Sequence, residues 1–189
     1  NFKSSFSKLI NNRKNLTTNK VDYQVKKIIN QVKKHGDDCL VQLTKKYDKS
    51  KIKKNQILIT NKIIRYYANQ VDPKILKSFK LAIKRVYKYH KKQYPKNYFL
   101  KNKGINLSQR WLPIDSVGLY IPGGKASYPS SLIMNAVPAI IAGVKRIAVV
   151  SPIYQGRPNP YIMAILKLLN IKEVYQVGGA HAIAALAYG

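Results

Sequence analysis

Between residues 21 and 47 the apolar residues Val25, Ile28, Ile29, Val32, Leu40, Leu43 and Tyr47 recur at steps of three and four, the period of a helix that buries one face. The pattern breaks at His35-Gly36-Asp37-Asp38, which predicts two amphipathic helices. Gly36 suits the end of the first, and Asp37 or Asp38 can accept hydrogen bonds from the open amides of the second while complementing its dipole. A further helix is predicted over 73–94, with Pro73 in its first turn, Ile75, Leu76, Phe79, Ile83, Val86 and Tyr87 on one face and lysines on the other.

After Gly104 the texture changes. Eight of the ten glycines and seven of the nine prolines lie beyond it, while lysine thins out. A strand over 116–121 runs into Pro122-Gly123-Gly124, and a helix over 130–142 carries Pro138, which should kink it, and stops at Gly143. The unit then repeats: strand 146–150, a Pro/Gly loop, helix 161–169, strand 173–177, Gly178-Gly179, and a helix from Ala180. Alternation of this kind predicts an α/β fold with a parallel sheet covered by helices, and the apolar run Ile147-Ala148-Val149-Val150 suits a buried central strand. Two regions are therefore expected, a lysine-rich helical one over 1–104 and an α/β one over 105–189. The chain opens on Asn1 and closes on an apolar helical run, so it is expected to be the N-terminal part of a longer protein.

Charge changes the picture less than its size suggests. The net charge is +28, and residues 1–104 hold 28 of the 35 Lys+Arg and 5 of the 7 Asp+Glu, leaving a net +23 there and +5 beyond. A basic excess is the footprint of nucleic-acid or anionic-membrane binding. These lysines sit among asparagine, isoleucine and tyrosine, residues with A- and T-rich codons, so genome composition accounts for the excess as well as a ligand does. The helices lack aromatic stacking platforms at a regular spacing, and any nucleic-acid binding is expected to be nonspecific. No stretch reaches the roughly 18 apolar residues of a membrane span. The single cysteine excludes an internal disulfide and fits a reducing compartment, so a cytoplasmic protein is expected.

Candidate chemistry concentrates in two loops. In a parallel sheet, ligands bind where strands end and helix N-termini offer unpaired amides to phosphate or carboxylate groups. Pro122-Gly123-Gly124 has this form, with Tyr120 just upstream, and so does Gly178-Gly179-Ala180, which leads into a helix carrying His181 in its first turn. Neither is a GxGxxG fingerprint, and tight turns explain the glycines as well. His35 and Cys39 have metal-ligand spacing only on a continuous helix, which Gly36 and the aspartates argue against. His90 lies among lysines, and Ser130 and Ser131 read as helix-start residues rather than nucleophiles.

Three blocks carry a resemblance. The run VGLYIPGGKASYPSSLIMNAVPAIIAGVKRIAVVSP over 117–152 resembles the signature of the histidinol dehydrogenase family, VGGAHAIAALAYG over 177–189 resembles its next block, and HGDDCLVQLTKKYDKS over 35–50 is similar to its N-terminal helical pattern. The resemblance implies an incomplete Rossmann-like parallel sheet, related to that of aldehyde dehydrogenases, preceded by a helical region. It implies oxidation of L-histidinol through L-histidinal to L-histidine with two NAD reduced in succession, a zinc that positions the substrate, a Glu-His pair for proton transfer and an intertwined homodimer. Zinc ligands and acid-base residues are expected downstream, so none is assigned here. Two NAD contacts carry over: Tyr120 is the tyrosine of the GLY-PGG motif, and His181 stands where the GGAQAIAAL motif has glutamine. Cys39 stands where the family commonly has alanine. An imidazole at 181 would titrate near pH 6.5 and make NAD affinity vary between about pH 5.5 and 7.5. The competing readings are a basic nucleic-acid-binding protein and a noncatalytic α/β binding protein.

Overall fold

A computed structural model describes the backbone of residues 2–15, 19–123, 128–153 and 156–189, and the side chains of all of these but 11–15, 19 and 20. Helix α1 (Phe2–Asn15) and the long α2 (Asn19–Tyr47) open the chain. Gly36 inside α2 has φ 51° and ψ −131°, so the predicted interruption is a kink joining two helical halves. Only a residue without Cβ adopts that backbone at little cost. Helices α3 (Asn61–Ala68) and α4 (Pro73–Lys91) follow. Asp72 accepts from the Lys74 amide at 2.6 Å and Pro73 occupies the first turn of α4. That helix packs Ile75, Leu76, Phe79, Ile83 and Val86 inward as the periodicity predicts, although it ends at Lys91 rather than 94 and leaves Tyr87 exposed.

Strands β1 (Tyr98–Asn102) and β2 (Ile105–Gln109) form an antiparallel hairpin whose turn contains Gly104, exposed along its whole length. The α/β alternation comes next: β3 (Ser116–Tyr120), α5 (Pro129–Ala142), β4 (Arg146–Val150), α6 (Pro160–Leu168), β5 (Glu173–Tyr175) and α7 (Gly179–Tyr188). The three strands are parallel in the order β3-β4-β5, with β4 central. Helix α5 runs on through Pro138 and ends where Gly143 turns left-handed.

Because strand side chains alternate between faces, the sheet divides two cores. Leu119, Ile121, Val149 and Val174 face α3, α4, α5 and α6, whose Ile64, Leu132, Val137, Ile165 and Leu166 complete one core. On the other face Val150 and Val177 meet Val32, Leu40 and Leu43 of α2 and Ala182 of α7. The free edge of β5 is covered from the N-terminal region. The Ile59 amide donates to the Val174 carbonyl at 2.8 Å and the Gln176 amide donates to Ile57 at 2.9 Å, which removes an open strand edge that would invite pairing with another chain.

Candidate functional site

The parallel order brings the ends of β3, β4 and β5 to one side, where the amide of Ile121 donates to Val150 and that of Ser151 to Tyr175. Three short loops therefore leave the sheet side by side. Their packing is tight. A Cβ on Gly123 would stand on the Pro152 carbonyl oxygen, and one on Gly178 would come within 2.6 Å of the Pro152 ring. Glycine at these positions lets the first and third loops close onto the second. Gly124 lies outside the described residues.

Tyr120 spans the mouth so formed. Its ring points to the α7 side of the sheet, and its hydroxyl accepts from the Gly179 amide at 3.4 Å. The tyrosine is 36% exposed, so ring and hydroxyl edge are open to a ligand. Gly179, with φ 59°, begins α7 and directs its own amide at that hydroxyl. The structure thus joins the two loops that the sequence singled out separately.

His181 is placed differently from Tyr120. It is 1% exposed, beneath the mouth rather than on it. Its Nε2 lies 3.3 Å from the hydroxyl of the equally buried Thr44, and the Tyr47 ring stacks on it at 6.4 Å between centroids. Asp48 Oδ2 is 4.0 Å from Nε2 and has no hydrogen-bond partner among the described residues, and the same is true of the buried Ser50 hydroxyl. Burial pushes the imidazole down to about 4 and pushes the Asp48 carboxyl up, so both groups are driven toward their neutral forms and the 4.0 Å approach is not an ion pair. The expected titration of His181 between pH 5.5 and 7.5 is therefore corrected: the ring is neutral throughout that window because it has left water.

Thr44, Asp48 and Ser50 were missed from the sequence. A signal for Thr44 existed, since a hydroxyl falls on the apolar stripe Leu40, Leu43, Tyr47, where only a partnered polar group is tolerated. Cys39 is buried on the same stripe and its thiol is pushed up by burial, which disfavours the thiolate a metal or an electrophile requires. Gly36 breaks the helix between Cys39 and His35. Ser130 and Ser131 lie in the first turn of α5.

A cleft of about 280 Å³ opens elsewhere, between α2, α7 and the sheet face, lined by Val32, Leu40, Gly118, Ala148 and Leu186. It reaches the starts of β4 and β5, where Arg146 clasps Glu173 through two nitrogens at 2.6 to 3.2 Å and Tyr175 donates to the same carboxylate. None of the mouth residues Tyr120, Gly178 or Gly179 lines it. Its apolar walls and an already paired rim offer less to an anionic cofactor than free amides at a helix N-terminus do.

The family model described as histidinol dehydrogenase matches residues 11–189. A histidinol dehydrogenase of Carboxydothermus hydrogenoformans is 42% identical over 170 residues, which is 89% of this chain and 40% of that protein. One of Pelagibacter ubique is 43% identical over 191 residues, covering 100% of this chain and 43% of its own. Among solved structures, a histidinol dehydrogenase from Elizabethkingia anophelis superposes with a TM-score of 0.86 at 28% identity, over 92% of this chain and 40% of that one. The chain thus spans about two fifths of the length of these relatives. None of them points to a nucleic-acid-binding module. The ordered sequence blocks, the parallel sheet with its N-terminal helices and these matches agree, and the chain belongs to the histidinol dehydrogenase family.

Proposed function

We propose that this chain supplies one wall of the NAD site of an enzyme that oxidises L-histidinol through L-histidinal to L-histidine, at the end of histidine biosynthesis. The observation that carries the reading is the meeting of Tyr120 and Gly179 at the strand ends, inside the two blocks the family shares. Two features of the mouth support this reading. The glycines let the three loops pack closely at the strand ends, and the amides of the first turn of α7 after Gly179 can donate to a phosphate.

NAD, when bound, accepts hydride from the substrate carbon. Tyr120 offers a ring face and a hydroxyl that already holds the Gly179 amide, so it orients the cofactor rather than moving a proton. His181, the other position aligned with an NAD contact, acts on the same loop from below. The described residues include no group of three or more His, Cys, Asp and Glu placed to hold a metal, so they do not fit the family's zinc and no step is assigned to it here. A homodimer is in keeping with the apolar residues left open on α1, Phe2, Phe6 and Leu9. Among the described residues no helix is long and apolar enough to cross a membrane.

In the intact enzyme, Tyr120→Ala is expected to raise the KM for NAD about tenfold, the size of a lost hydrogen bond and ring contact, with the KM for histidinol changed less than twofold. Steady-state kinetics with each substrate varied in turn is the check. A fall in melting temperature with both KM values unchanged would make Tyr120 a packing residue and remove the reading.

A further inference from the structure

The buried polar group under the mouth links two segments 137 residues apart. One end is the second half of α2, beyond the Gly36 kink. The other is the first turn of α7. Between them the His181 ring touches Thr44 through Nε2, while its other nitrogen, Nδ1, lies 3.4 Å from where a Cβ on Gly179 would stand. The ring is therefore packed directly under the residue whose amide meets Tyr120.

We propose that Thr44 is a positioning residue for the cofactor loop: its hydroxyl fixes the His181 ring, and the ring props Gly179 so that its amide stays on the Tyr120 hydroxyl. This rests on the NAD reading above, and it assigns a binding role to a helix of the lysine-rich region that touches no cofactor.

The chemistry of the contact favours this role. A buried imidazole with no hydrogen bond is free to flip, and the Thr44 hydroxyl at Nε2 opposes that flip. Thr44 can donate to that nitrogen or accept from it. Glutamine at 181 would also reach a hydroxyl as donor or acceptor, so the contact needs a polar side chain there and not an ionisable one. Gly179 has a left-handed backbone and no side chain of its own, and the His181 ring lies at van der Waals distance from where its Cβ would stand.

The test compares Thr44→Val, which keeps the shape and loses the hydroxyl, with Thr44→Ser, which keeps the hydroxyl, in the intact enzyme. Thr44→Val is expected to raise the KM for NAD about three- to tenfold with kcat and the KM for histidinol near wild type, and Thr44→Ser to stay within twofold of wild type. In a His181→Leu background, adding Thr44→Val should produce no further rise, because the two act as one unit. An unchanged KM for NAD in Thr44→Val, or equal rises in Thr44→Val and Thr44→Ser, overturns the proposal. Tyr120→Ala separates the levels. If it leaves NAD kinetics untouched, the NAD reading itself has failed, whereas a Tyr120 effect without a Thr44 effect sinks only the positioning role.

Discussion

Gly123→Ala should cost the enzyme most of its NAD affinity, with a KM for NAD raised tenfold or more and a loss of about 2 kcal/mol or more in stability. The cause is steric and local. The new methyl would stand on the Pro152 carbonyl oxygen and within 3.1 Å of Ser151 Oγ. The first is backbone and cannot swing away as a flexible side-chain tip could, and the neighbouring backbone is tied by the Ser151 amide to Tyr175 at 3.0 Å. The loop after β3 must lift off the loop after β4, taking Tyr120 with it, and displacements of about 1 Å at a binding site change rates by up to about a hundredfold. Gly104→Ala is the control. It also has a positive φ, of 81°, but its Cβ meets nothing within 4 Å, so it should lower stability by roughly 1 kcal/mol and leave the KM for NAD unchanged. Parallel kinetics and thermal melts of the two variants separate loop displacement from backbone strain. A KM for NAD within twofold of wild type in Gly123→Ala would take the first loop out of the cofactor site.

The second large effect is in the core that carries these loops. Ile165 of α6 is fully buried between the sheet and α3. Ile165→Ala removes three carbons from a close-packed site and should lower the unfolding free energy by about 2–5 kcal/mol, against about 0.5–1.5 for Ile165→Val. Denaturant midpoints with unchanged slopes are the readout. Comparable small losses in both would mean that α6 packs loosely and that the α3–α6 layer does not stiffen the strand ends.

Much of this fold was legible because its signals are local. The strand-loop-helix units from β3 to α7 follow from apolar runs punctuated by glycine and proline, and the kink of α2 follows from Gly36. Short or exposed elements left weaker traces. Helix α3 has eight residues, too few for a period to stand out, although Thr60 accepts from the Ile63 amide as an N-cap. The β1–β2 hairpin is exposed on both faces: β1 has no alternation, and in β2 it is confined to Ile105 through Ser108, too short to mark a half-buried strand. Helix α1 carries an apolar stripe of Phe2, Phe6, Leu9 and Ile10 over its first nine residues only, a run too short to stand out among the polar residues around it.

The candidate site divides in the same way. Tyr120 and the glycines were readable because their chemistry lies in the loops themselves. The burial of His181 was not, since it depends on Thr44 and Tyr47 arriving from a distant helix, and with it went the expectation of a pH-dependent cofactor contact. A side chain that departs from its family's motif can keep the hydrogen-bonding capacity while its surroundings decide whether it titrates.

The most direct test of the cofactor mouth is amide hydrogen exchange of the intact enzyme with and without NAD. Tyr120 and Gly179 meet where β3 and β5 end, so NAD is expected to slow exchange at Ile121, Gly123, Gly179 and Ala180 together, with little change on the exposed face of α4 or in the β1–β2 hairpin. Protection confined to the cleft between α2 and α7, or none at the loops after β3 and β5 under saturating NAD, would contradict it.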